Sequence, residues 1–180
     1  MNLPNILTLI RIALVPVFIM FFYIDIHYNY IYALLIFLVA SFTDFLDGVI
    51  ARKQNCVTDF GKLMDPMADK LLVASGVIML VSVSKIHPVI GIILISREFI
   101  ISSFRLLAVS NGKVIAAGIL GKYKTVFQLI GICILLVEDY LWPFVGIVGD
   151  IVIYISAILA IWSCVDYFVR NKGVIDLENI

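Results

Sequence analysis

The sequence predicts an all-α integral membrane protein with six transmembrane helices and a polar cavity open to the cytoplasm. Of its 180 residues, 63% are hydrophobic and only 14% are charged, and its mean hydropathy of +1.11 far exceeds that of soluble domains. The apolar stretches supply about six spans of roughly 20 residues each. The charged residues gather toward one end of these stretches, which predicts the cavity. A chain of this length is expected to form one membrane domain over residues 1–180.

The charge balance and the cysteines argue against other classes of protein. Thirteen Lys and Arg residues balance thirteen Asp and Glu residues, so neither a nucleic-acid-binding surface nor a disordered chain is expected. The three cysteines are an odd number, and two of them lie in apolar stretches, so no disulfide framework is expected. No basic region precedes the first apolar run, so we expect no cleaved signal peptide or transit peptide. A short membrane protein without such a presequence is expected in a bacterial plasma membrane.

Each apolar stretch is extended at one end by helix that carries charge. The longest run without Asp, Glu, Lys or Arg extends only from Ile26 to Thr43, which is short for a span. Pro66 lacks a backbone N–H and is expected to bend the third helix or to mark its beginning. When the flanking charged residues are counted as part of each helix, the predicted helices extend over 3–24, 28–52, 61–84, 87–110, 122–138 and 143–169.

Basic residues are distributed unevenly between the two sides of the predicted bundle. The loops of one side hold only Lys85. The other side collects Arg52, Lys53, Lys62, Lys113, Lys122, Lys124, Arg170 and Lys172. The positive-inside rule therefore predicts that both termini lie in the cytoplasm.

Four aspartates form two pairs within a short segment. Asp44 and Asp47 are three residues apart on the second predicted helix, and Asp65 and Asp69 are four residues apart on the third. Each spacing places both side chains on one helix face. Because the connection between the helices is short, we expect them to be antiparallel neighbours whose pairs face each other near the cytoplasmic end.

These aspartates predict a site for divalent cations. Four carboxylates at one depth in a bilayer repel each other and are costly to ionise unless a cation compensates them. An all-oxygen set of ligands without His or Cys selects Mg²⁺ or Mn²⁺ rather than zinc. Four carboxylates can hold two ions at the roughly 4 Å separation that clamps a phosphoryl group.

Small residues and one arginine accompany the aspartates. Gly48, Ala51 and Gly61 would let a charged group approach the backbone, and Arg52 supplies a cation at the membrane surface. Taken singly, small residues are more typical of helix packing and a terminal Arg of membrane orientation. Together with four aspartates, they favour a pyrophosphate ligand.

The segment from Asp44 to Asp69 resembles the signature of the CDP-alcohol phosphotransferase family at every specified position. It reads Asp-x2-Asp-Gly-x2-Ala-Arg-x8-Gly-x3-Asp-x3-Asp. The resemblance implies a six-helix membrane enzyme, usually a homodimer, that binds CDP-diacylglycerol or a similar CDP-alcohol together with divalent metal. Such an enzyme transfers the phosphatidyl group to an acceptor hydroxyl and releases CMP.

The resemblance also implies a role for each motif residue. Asp44, Asp47 and Asp65 would be principally metal ligands. Asp69 would complete the metal cluster and deprotonate the attacking hydroxyl. The CDP pocket would consist of Asn5, Thr8, Arg11, Gly48, Ala51, Arg52 and Gly61.

Three other segments resemble family members that use sn-glycerol 3-phosphate as the acceptor. These segments are Leu3–Arg11, Arg97–Arg105 and Gly121–Gln128. The candidates for binding the acceptor phosphate are Arg97, Arg105, Lys122 and Lys124. For Arg97 the alternative is an ion pair with Glu98 or Asp150, and for the two lysines it is contact with lipid headgroups. The chain after about Leu136 resembles nothing that we can use.

Several other functions stay open from the sequence. Serine, inositol phosphate or phosphatidylglycerol could replace glycerol 3-phosphate as the acceptor. An aspartate-rich prenyltransferase usually has a longer chain and a different aspartate spacing. A divalent-cation transporter would need polar residues in both membrane halves, whereas here the far half is almost uncharged.

Overall fold

The computed structural model describes residues 3–54, 59–110, 115 and 118–171. The described residues form six α-helices and no strand, which confirms the predicted helical class. A short 3₁₀ helix, Glu138–Tyr140, precedes the last helix. The helices are α1 (Leu3–Met20), α2 (Asn29–Gln54), α3 (Asp59–Ser82), α4 (Pro88–Ser110), α5 (Ile119–Val137) and α6 (Phe144–Arg170).

Most helix boundaries differ from the sequence prediction by one or two residues, and the largest differences are at the end of α1 and the start of α5. Helix α1 ends at Met20 rather than at residue 24, because the chain closes into tight turns in which the Phe22 and Tyr23 amides donate to carbonyls three residues earlier. Helix α3 begins at Asp59 and continues through Pro66, so Pro66 does not mark its beginning. Helix α5 begins at Ile119, before the predicted residue 122.

The helices group into two compact units. The first unit contains α1, α2, α3 and the 3₁₀ helix, and the second contains α4, α5 and α6. In the first unit, α1 packs against both α2 and α3, and α2 also contacts α3. Its core includes the fully buried rings of Phe18 and Phe37, whose centroids lie 5.8 Å apart.

The loops of the first unit are joined by one cluster of polar and aromatic side chains. Lys85 forms ion pairs with Glu138 (3.0 Å) and Asp139 (2.6 Å). Its ammonium also lies 4.8 Å from the centroid of the Tyr30 ring. The Tyr140 hydroxyl donates to Asn29 Oδ1 over 2.9 Å. These contacts hold the α3–α4 connection and the 3₁₀ helix against the start of α2.

In the second unit, α4 packs against α6, and glycines bring α5 close to α6. The rings of Phe104 and Tyr167 meet edge to face, with centroids 5.5 Å apart. A Cβ atom at Gly131 would lie 2.7 Å from the Ile153 side chain, and one at Gly149 would lie 2.6 Å from Leu135. Real Cβ atoms do not approach so closely, so both positions favour glycine for packing reasons.

Apolar side chains cover much of the outer surface. Among the described residues, two helical segments are long and apolar enough to cross a membrane, Ile119–Tyr140 and Phe144–Arg170, and shorter apolar helices extend over Asn5–Met20 and Asn29–Thr43. Phe99, Leu106 and Trp162 are each more than half exposed. Exposed apolar surface of this extent is typical of proteins that contact lipid.

Candidate active site

The aspartate motif lies on two helices of the first unit that contact each other. Asp44 and Asp47 belong to α2, and Asp65 and Asp69 belong to α3. Helix α2 ends at Gln54 and α3 begins at Asp59, so the connection is even shorter than predicted. The expectation that α2 and α3 are packed neighbours is confirmed.

Of the four predicted metal ligands, only the Asp69 side chain is among those that the structure describes, and it is partly buried. Within that part of the chain, no group of three His, Cys, Asp or Glu side chains is close enough to hold a metal ion. The side chains that lie outside the description are those of Asp44, Asp47, Gly48, Ala51, Arg52, Gly61 and Asp65. The donor set on α2 and α3 consists of carboxylates, which fits a hard divalent cation.

Helix α1 contributes buried polar residues to the same unit. Asn5, Thr8 and Arg11 recur at every third position, which places them along one side of α1. Thr8 and Arg11 are fully buried, at 0% exposure, on a helix that packs against both motif helices. A buried guanidinium persists only where the surroundings compensate its charge. The structure thus brings these predicted CDP-binding residues into the unit that carries the aspartates.

The second unit contains a charged cluster that joins α4, α5 and α6. Glu98 Oε1 lies 3.1 Å from Arg97 Nη1 and 2.5 Å from Lys124 Nζ. Arg97 Nε and Nη2 also donate to Ser163 Oγ, over 3.3 and 3.2 Å. A Cβ atom at Gly121 would lie 2.8 Å from Arg97 Nη2, so the absence of a side chain there lets the guanidinium approach α5. We call Arg97, Glu98, Lys124 and Ser163 the cationic cluster.

Lys124, a candidate for binding the acceptor phosphate, is buried in the structure. It lies in the second turn of α5 and is only 1% exposed. The Ser156 hydroxyl donates to its carbonyl oxygen over 3.1 Å, which ties α6 to the same turn. Burial of the ammonium is possible because Glu98 supplies an opposite charge. Lys124 is thus buried beside Glu98, whereas the Lys122 side chain is exposed.

The remaining acceptor candidate, Arg105, contacts a different residue of α6. Its Nε donates to the Tyr167 hydroxyl over 3.3 Å, and its guanidinium carbon lies 5.7 Å from the centroid of that ring. For Arg97, the alternative of an ion pair with Glu98 is what the structure contains. Two of the four acceptor candidates, Arg97 and Lys124, thus share one carboxylate.

Sequence reasoning missed the contribution of α6 to this cluster. Ser156 and Ser163 lie in a long apolar helix and are almost fully buried. Small hydroxyl residues in such helices usually bond within their own helix or mark helix packing. Their recurrence at positions 156 and 163, two turns apart on one face, was the available signal.

The fold and the site together define an all-helical protein with an apolar exterior and a carboxylate motif on two packed helices. The chain belongs to the CDP-alcohol phosphatidyltransferase family, whose sequence profile matches residues 1–162. The family resemblance predicted from the motif is therefore confirmed.

Three relatives from different bacteria illustrate how far the similarity extends. A protein of Bacillus subtilis is 35% identical, with 99% of both chains aligned. One of Rickettsia bellii is 40% identical over 95% of this chain and 96% of the relative. One of Haemophilus influenzae is 37% identical over 99% of this chain and 97% of the relative. All three are named CDP-diacylglycerol–glycerol-3-phosphate 3-phosphatidyltransferase. The similarity thus continues beyond Leu136, where sequence analysis found none.

Proposed function

We propose that this protein transfers the phosphatidyl group of CDP-diacylglycerol to sn-glycerol 3-phosphate, giving phosphatidylglycerol phosphate and CMP. The observation that carries the proposal is the similarity to relatives named for this reaction, at 35% to 40% identity over almost the whole chain. The cationic cluster supports a phosphate-bearing acceptor, because paired Arg and Lys side chains are suited to binding phosphate.

The proposed setting is the bacterial plasma membrane, with six spans, both termini in the cytoplasm and a cavity open to that side. The long apolar helices and the exposed apolar side chains support a membrane location. We further propose that residues 1–180 act as one functional domain and that the enzyme is a homodimer. In this arrangement the acyl chains of the donor stay in the bilayer while its nucleotide enters the cavity.

The residues proposed to bind the donor belong to the first unit. Asp44, Asp47, Asp65 and Asp69 would hold two Mg²⁺ or Mn²⁺ ions. Divalent ions held there would neutralise the pyrophosphate and the charge that develops on CMP. The CDP moiety would contact the α1 residues Asn5, Thr8 and Arg11, together with Gly48, Ala51, Arg52 and Gly61 from the motif. Buried Arg11 suits an anionic ligand, because a desolvated cation attracts charge more strongly than an exposed one.

The proposed chemistry is one nucleophilic displacement at phosphorus. Asp69 accepts the proton of the terminal 1-hydroxyl of glycerol 3-phosphate. The hydroxyl oxygen then forms a bond to the phosphorus that bears the diacylglycerol, and the bond from that phosphorus to the oxygen of CMP breaks. Arg97 and Lys124, held by Glu98, would bind the acceptor phosphate, and Arg105 and Lys122 would add positive charge.

The test of the proposed function is CMP release by the purified protein from CDP-diacylglycerol with Mg²⁺ or Mn²⁺. We expect release to depend on glycerol 3-phosphate and to be much slower with serine, inositol phosphate or phosphatidylglycerol. Identification of the lipid product by mass spectrometry checks that the phosphatidyl group has moved. Faster release with any of the other three acceptors would contradict the proposed function.

The proposed orientation predicts that Cys56 faces the cytoplasm. Cys56 lies outside the described residues, and the prediction rests on Arg52 and Lys53, which precede it. A membrane-impermeant thiol reagent should miss Cys56 in intact cells and reach it after permeabilisation. The matched control carries Cys56→Ser and His27→Cys, which moves the thiol to an exposed position in the opposite loop. That variant should react in intact cells, and the reverse pattern would overturn the orientation.

A further inference from the structure

Gln128 on α5 is a buried polar residue that the proposed chemistry has not used. Its side chain is 1% exposed, and its Oε1 has no hydrogen-bond partner in the part of the chain that the structure describes. Buried amide oxygens almost always accept a hydrogen bond, because leaving one unpaired costs free energy. An oxygen in this state is therefore suited to accept a hydrogen bond from a bound ligand.

The position of Gln128 relates it to the cationic cluster. Gln128 follows Lys124 by four residues, so both side chains lie on one face of α5, about 6 Å apart along the helix axis. Both are buried, and the next buried residue on this face, Ile132, is apolar. Gln128 is thus the last polar group of the stripe that begins at Lys124. A three-carbon phosphate ester that is held through its phosphate at Lys124 has the length to reach it.

We propose that Gln128 selects the acceptor by accepting a hydrogen bond from the secondary hydroxyl of glycerol 3-phosphate. This inference rests on the proposed function. The acceptor carries two hydroxyl groups, and the terminal one must give its proton to the base in order to attack. At neutral pH the phosphate is largely the dianion, which accepts hydrogen bonds and does not donate them. The secondary hydroxyl is consequently the donor that remains for the Gln128 amide oxygen.

The chemistry predicts selection against acceptors that lack this hydroxyl. A site that hydrogen-bonds a substrate hydroxyl disfavours the analogue without it, because the buried protein group then stays unpaired. The analogue for this test is 3-hydroxypropyl phosphate, which keeps the phosphate and the nucleophilic hydroxyl and lacks only the secondary one. The wild-type protein should prefer glycerol 3-phosphate by about tenfold or more in kcat/KM.

The experiment compares kcat/KM for the two acceptors in wild type and in Gln128→Met. Methionine nearly matches glutamine in length, and its thioether is only a weak hydrogen-bond acceptor. We expect the preference to fall to near unity, chiefly because the reaction with glycerol 3-phosphate slows. The matched control is Thr125→Val on the same helix, which removes a hydroxyl that donates to the Gly121 carbonyl of its own helix. It should keep the wild-type preference.

The preference is a ratio measured within one preparation, so partial loss of active protein cancels from it. If Gln128→Met gives no active protein, Gln128→Asn provides the same test, because it keeps the amide and withdraws the oxygen by one methylene. An unchanged preference in the variant that is measured would overturn the inference, as would a wild-type protein that uses both acceptors equally well. Failure of the proposed function differs, because the wild type would then release no CMP with either acceptor.

Discussion

Asp69→Asn is expected to reduce turnover by roughly 10²–10⁴-fold while leaving the helical protein assembled in the membrane. Asparagine has nearly the same volume as aspartate but carries no charge and has almost no basicity. Asp69 is partly buried on α3, so it has room to contact a ligand. Loss of the proton acceptor alone accounts for the expected range, and weaker metal binding would deepen the loss.

Titration with Mn²⁺ separates the two contributions of Asp69. Excess Mn²⁺ should restore only the part of the activity that depends on metal affinity. Asp44→Asn removes a residue proposed to be a ligand only, so the same excess should restore its activity further. The measurement is CMP release against Mn²⁺ concentration for both variants. Near-normal turnover of Asp69→Asn, or full rescue of this variant by metal, would show that Asp69 is not the base.

A control for this experiment is Asp150→Asn. Asp150 is an exposed carboxylate on α6 and belongs to no proposed site. Its loss removes the same charge and should leave turnover near that of the wild type. Circular dichroism and size-exclusion profiles of all three variants should match the wild type, because none of these substitutions creates a cavity.

Lys124→Met is expected to have the second largest effect, because it acts on both stability and acceptor binding. The ammonium is almost fully buried against Glu98, which itself is 25% exposed and stays paired with Arg97. Breaking a buried ion pair usually destabilises a protein by about 3–5 kcal/mol. Because Glu98 is partly exposed and keeps Arg97 as a partner, we expect the free energy of unfolding to fall by no more than about 3 kcal/mol. Loss of one charged contact to phosphate costs about 1.5–3 kcal/mol, so the KM for glycerol 3-phosphate should rise by roughly 10–150-fold.

Separate measurements of KM and of thermal unfolding distinguish these two effects. KM does not depend on the fraction of the protein that is folded, so a rise in the KM for glycerol 3-phosphate reports acceptor binding alone. The KM for CDP-diacylglycerol should change little in this variant. A lower unfolding temperature with an unchanged KM for glycerol 3-phosphate would show that Lys124 has only a structural role.

An exposed ion pair provides the control for stability. Arg170 Nε lies 2.7 Å from Asp166 Oδ1, and the arginine side chain is 74% exposed. Arg170→Gln should lower the free energy of unfolding by less than about 1 kcal/mol, because exposed pairs contribute little. A loss as large as that of Lys124→Met would indicate that burial does not explain the effect at Lys124.

The helices and the family could be predicted from the sequence alone. Helices form where apolar residues follow one another over enough turns, and this information is local, so all six were located to within a few residues of their ends. The family signature from Asp44 to Asp69 is also local, since its eight specified residues span two consecutive helices. How the four carboxylates converge stays a prediction, because three of these side chains lie outside the described residues.

Only the tertiary structure decided how the charged residues of the last three helices are paired. Glu98 could bond to its neighbour Arg97, but its contact with Lys124 joins residues 26 positions apart, and that of Arg97 with Ser163 joins residues 66 positions apart. The helices that carry them are apolar on nearly every face, so hydropathy does not indicate which face is buried. The burial of Lys124 depends instead on the approach of α4 and α6, and no periodicity within α5 specifies that approach.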